Sequence, residues 1–111
     1  MEWIIQNGDE SKRVESIEDI ATIVKSVMEQ KSEFLILIPP EPINLCNFMQ
    51  IAPGLNDDIH FEVSLIQNSE KTHVFSKTCS PDVAITLLTL FYTENAVPII
   101  SDWTFVGEYG L

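Results

Sequence analysis

Four side chains in this sequence belong to the types that most often carry catalysis or metal binding: His60, His73, Cys46 and Cys79. His60 and Glu62 stand two apart in IHFEVSLI, so a strand would place both on one face, with His73 of THVFSKT available from a hairpin partner. Two imidazoles and a carboxylate are a workable zinc set. The plainer reading is a solvated strand face with cross-strand polar pairs, because the tight ligand spacing that makes a zinc motif specific is missing. Cys79 precedes Ser80 at the start of a helical pattern, where a helix dipole lowers a thiol pKa. Neither cysteine has a nucleophile motif or a third orienting group around it, so small unreactive thiols are expected, unpaired in a chain with no visible export signal. Asp57-Asp58 follows Pro-Gly in a turn, and a water-exposed acidic pair has ordinary acidity. None of the four glycines (Gly8, Gly54, Gly107, Gly110) sits between a strand and a helix, as a phosphate-cradling loop requires. The expectation is a non-enzymatic protein with no cofactor and no metal.

What remains is acidity with aromatics among it. Six Lys plus Arg against seventeen Asp plus Glu give a net charge of -11 on 111 residues. Such a field repels nucleic-acid phosphates and anionic membrane surfaces and speeds the approach of a basic partner. Acidity also serves plain solubility. Interfaces recruit aromatic anchors, and VPIISDWTFVGEY (97–109) sets Asp102, Trp103, Glu108 and Tyr109 close together. The contact candidates are Asp57, Asp58, Glu62, Glu94, Asp102, Glu108 and Tyr109. Alternation along a strand over 97–106 groups Ile99, Ser101, Trp103 and Phe105 on the face toward the helices, with Ile100, Asp102 and Thr104 on the other. Trp103 then belongs to the core or its edge.

The elements that must hold these residues can be read from the patterning. EWIIQ (2–6) reads as a strand and NGDESKR as a polar turn. SIEDIATIVKSVMEQK carries an apolar stripe from Ile17 to Met28, with Ser16 as N-cap, Asp19 three residues on, and Lys25 and Lys31 toward its end. FLILI (34–38) and LCNFMQIA (45–52) read as strands, and 59–78 as a hairpin. SPDVAITLLTLFYTEN is a second helix, capped by Ser80, with Pro81 in its first position and Asn95 as a left-handed stop. The order β-α-β-β-β-β-α-β predicts one α+β domain over 1–111, with two helices on an antiparallel or mixed sheet of about five to six strands. No apolar run is long enough to span a bilayer and no secretory signal is visible, so cytoplasmic residence is expected.

The segment SPDVAITLLTLFYTENAVPIISDWTFV resembles the closing part of immunity proteins from bacterial polymorphic toxin (contact-dependent inhibition) systems. In those proteins an amphipathic helix leads through a polar turn and a proline to a strand carrying Trp. VESIEDIATIV is similar to their first helix. The resemblance implies a cytoplasmic antidote that binds a cognate toxin domain; the net charge of -11 suits a basic one, and a monomer or weak homodimer is expected. An acidic secretion chaperone for an effector is the alternative, and a small ligand- or metal-binding domain built on His60 and His73 a second one.

Overall fold

The polar run after the first apolar segment is not a loop. β1 (Ile4–Asn7) turns through Gly8 and Asp9 into β2 (Glu10–Arg13), with Ile4 opposite Arg13 and Asn7 opposite Glu10. Gly8, at φ 60°, takes the first position of this two-residue loop, a conformation glycine adopts without steric cost. Every residue of β2 is exposed, so no hydrophobic alternation announces it.

The computed structural model describes residues 2–29 and 33–111. After β2 come α1 (Glu18–Met28), β3 (Leu35–Ile38), β4 (Cys46–Pro53), β5 (Ile59–Ile66), β6 (Lys71–Cys79), α2 (Pro81–Glu94) and β7 (Thr104–Gly110). The expected α+β class holds. The strand count and order do not: among the described residues seven strands form one antiparallel sheet, β2-β1-β3-β4-β5-β6-β7 across its width, in the chain order β-β-α-β-β-β-β-α-β.

α2 follows its local signals closely. The Ser80 hydroxyl accepts from the Val83 amide at 3.2 Å, Pro81 opens the helix, and Asn95 closes it at φ 52°. α1 differs at its start. Ile17 occupies the cap position with no side-chain cap, and only the returning half of the capping box forms. There the Asp19 carboxylate accepts from the amides of Glu15 (2.8 Å) and Ser16 (3.3 Å), which holds Asp19 below the usual carboxylate range. The expected basic end keeps Lys25 in the last turn; Lys31 lies outside the described residues.

α1 lies over β4 and α2 over β5, so both helices cover one face of the sheet. Ile20, Val24 and Val27 of α1 and Ala84, Leu88 and Phe91 of α2 meet Leu37, Met49, Ile51, Phe61 and Val63 there. Trp3 closes one end, edge-on to Phe91 (5.1 Å) and Tyr92 (5.2 Å).

The last strand corrects a second expectation. Residues 98–103 are irregular, with a turn in which the Trp103 amide donates to the Ile100 carbonyl at 2.9 Å, so strand alternation begins only at Thr104. Ile99 is therefore 85% exposed rather than facing the helices. Trp103 packs edge-on against Phe61 at 5.8 Å, at the core's margin. Among the described residues no helix is long and apolar enough to cross a membrane.

Candidate functional site

Among the described residues, neither helix lies over the other face of the sheet. Register fixes what it displays: Ile36 and Ile38 of β3, Phe48, Gln50 and Ala52 of β4, and His60, Glu62, Ser64 and Ile66 of β5. β6 adds Thr72, Val74 and Ser76, and β7 adds Thr104, Gly107 and Tyr109. Side chains on this face alternate with those that build the core, as a pleated sheet requires.

Near the middle of the face is a hollow of about 240 Å³ lined by Phe48, Gln50, Glu62, Val74 and Tyr109. Gln50 lies directly opposite Glu62, and Ser64 lies between Phe48 and Val74 in one cross-strand row. That row continues to Gly107, which lies against the Tyr109 ring. A Cβ at Gly107 would stand 3.4 Å from the ring and hydroxyl of Tyr109. The Tyr109 ring thus folds back across its own strand, over the bare backbone, and walls the hollow. A bulge at Val74/Phe75 in the β6–β7 register, and another between Cys46 and Phe48, tune which residues reach this face.

The polar groups around the hollow are unevenly satisfied. One oxygen of Glu62, whose side chain is only 20% exposed, meets His60 Nε2 at 3.0 Å. Neither its second oxygen nor the Gln50 amide has a partner among the described residues. Beneath, Ser64 is 0% exposed and its hydroxyl is unpartnered, although alternation alone would put it on a wet face.

Of the seven predicted contact residues, the structure brings together Glu62 and Tyr109 only. Asp57 and Asp58 occupy the β4–β5 turn. Asn56 (φ 54°) and Asp57 (φ 64°) take the two left-handed positions of a primed hairpin turn, closed by the Asp58 amide on the Leu55 carbonyl at 3.0 Å. Asp57 thus has a backbone task of its own. Gly54 beside it is required by close approach, since a Cβ would stand 2.9 Å from the Asp58 carbonyl oxygen. Glu94 ends α2, about 20 Å of helix away from the end of the sheet that carries that turn. Asp102 pairs with Lys77 (3.4 Å) in the turn before β7. Glu108 is on the helix side, held by His73 Nε2 (2.8 Å) and Lys71 Nζ (3.1 Å), and these partners keep its carboxyl below the usual range.

The zinc alternative loses its geometry. His73 is opposite Leu65, on the helix side with Phe105, whereas His60 and Glu62 are on the open face. Among the described residues no three potential ligands gather. Cys79 does not gain an activated thiol from the start of α2. Burial pushes its pKa up, and burial pushes Cys46 further, to about 12. Both thiols are free. They pair with Ile59 and Leu65, six residues apart on β5 and so separated by about 20 Å.

Sequence reasoning missed Phe48, Gln50, Val74, Gly107 and Ser64 as one group. The alternation of IHFEVSLI and THVFSKT carries part of the signal, since pairing those strands places Val74 beside Ser64. No family model matches the chain, and no curated protein or solved structure matches it.

Proposed function

We propose that this protein is an antidote-type binding protein, an immunity protein that neutralises a basic toxin domain by holding it against the open face of the sheet. The observation that carries the reading is that face itself. Seven strands offer a surface that neither helix covers, with a hollow that combines aromatic walls with an incompletely satisfied carboxylate, in a chain of net charge -11. Charge of that sign steers a basic partner, and a rigid aromatic-walled pocket anchors it. The resemblance of residues 80–105 to immunity proteins points the same way, with Trp103 placed just before the strand rather than in it.

The secretion-chaperone reading is favoured by a different feature. β7 is an edge strand of seven residues with Phe105, Val106 and Tyr109 exposed, and an extended chain pairs readily with such an edge. The test is co-expression with a basic, toxic C-terminal domain, sought first in the adjoining reading frame. Growth rescue together with a stable complex with the folded domain is the expected result. Binding only to an unfolded segment gives the chaperone reading, and no binding with no rescue removes the antidote.

A further inference from the structure

We propose that the hollow walled by Phe48, Val74 and Tyr109 is an anchor site for a single arginine side chain presented by the basic partner. The proposal rests on the reading of the open face as the docking surface and names the chemistry that reading needs. Three observations select the occupant.

The first is the carboxylate. Glu62 lines the hollow while only 20% exposed, and His60 takes one of its oxygens. An apolar anchor seated there would strip water from the other oxygen and leave a charge without a partner, at a cost that excludes it. A cation supplies the missing partner. The second is the number of acceptors. The free Glu62 oxygen and the side-chain carbonyl of Gln50, directly opposite on the neighbouring strand, both line the hollow. A guanidinium brings five N–H donors in a rigid fork and no acceptor; an ammonium is a compact point charge that fits such a spread less well.

The third is the aromatic wall. Tyr109 lies folded over Gly107 and so offers a flat ring face, with Phe48 across the row. A planar guanidinium stacks on such a face while its methylene stem rests on apolar surface, here supplied by Val74. At Gly107 a Cβ would meet the ring at ordinary contact distance, so only a side chain longer than alanine would compete with the ring for this space.

The test uses the intact protein and a defined probe. Backbone and ring resonances are followed during titration with N-acetyl-arginine amide at low salt, with N-acetyl-citrulline amide as the neutral isostere. Saturating shifts are expected at Gln50, Glu62, Val74 and the Tyr109 ring, with citrulline weaker by about tenfold or more, the usual worth of a charge-assisted bond. Glu62→Gln, which preserves shape, and Tyr109→Ala should each abolish saturation, whereas Tyr109→Phe should retain it. The proposal is overturned by equal shifts with citrulline, by saturation that survives Glu62→Gln, or by unsaturable shifts spread over Asp57, Asp58 and Glu94 as in plain counter-ion attraction. Rescue of growth without arginine uptake removes the anchor and leaves the antidote reading intact. Uptake without rescue does the reverse.

Discussion

The two faces of the sheet are made from alternate residues of the same strands, yet they exclude water by different means. On one side Met49, Ile51, Phe61 and Val63 are sealed under α1 and α2. On the other, Ser64, Thr72 and Val74 are nearly as deep, although among the described residues neither helix lies over them. Their neighbours on the same face are aromatic: Phe48 lies directly opposite Ser64, and Tyr109 directly opposite Thr72. Burial on the helix side is therefore bound up with folding. Burial on the open side rests on two aromatic rings that can be trimmed or displaced without dismantling an element. A surface of that kind can be dry enough to hold a partner's side chain and still be available to it.

The sharpest way to break the contrast is to truncate one aromatic on each face. Phe61→Ala opens a cavity under the helices beside Trp103 and should cost about 3–5 kcal/mol. Phe48→Ala, on the half-buried open face, should cost about 1 kcal/mol. Urea denaturation at unchanged slope separates the two. Equal losses would mean that the open face is part of the core after all.

A second prediction uses a titratable group on the helix side. Burial raises the Cys46 thiol from its ordinary 9.0 to about 12. The unfolded chain then releases this proton first as pH rises, so the folded state loses stability between pH 9.0 and about 12 and keeps its full value below. The three-unit gap sets a ceiling of about 4 kcal/mol. The stability of the wild type relative to Cys46→Ala should shrink through that window. A constant difference would mean that water reaches the thiol and that the sealed face is open at this end.

The same division explains what could be read from the residues alone. α2 was legible because Ser80, Pro81, Asp82 and Asn95 act within their own turns. The β5–β6 hairpin was legible because alternation over 59–66 is unbroken. β2 was not, since it is fully exposed and only Gly8 marks its turn. β7 was misplaced because Ile99, Ile100 and Trp103 are apolar enough to mimic strand while a turn at 100–103 interrupts it. The hollow needed four strands in register, two bulges and the fold-back of Tyr109 over Gly107, none of which is local in sequence. The acids singled out by charge alone scattered, because charge does not encode which face a residue takes.

The smallest effect concerns the turn that delivers Phe48 to the open face. Asn44 (φ 48°) and Leu45 (φ 69°) occupy the two left-handed positions between Ile43 and Cys46, whose amides and carbonyls bond reciprocally at 2.8 and 3.0 Å. Asparagine tolerates that region, whereas a leucine there carries strain of about 1–2 kcal/mol. Leu45 is 63% exposed, so its side chain recovers little of that by burial. Leu45→Gly should raise stability by about 1 kcal/mol, reduced by the greater freedom of glycine in the unfolded chain, and Asn44→Gly should be close to neutral. Thermal midpoints decide the sign, and the arginine titration decides the meaning. A gain in stability with the titration unchanged makes the strain a local accident of the turn. A gain accompanied by weaker saturation would show that the strained turn, one residue before the bulge at Cys46/Phe48, holds Phe48 in place as a wall of the hollow.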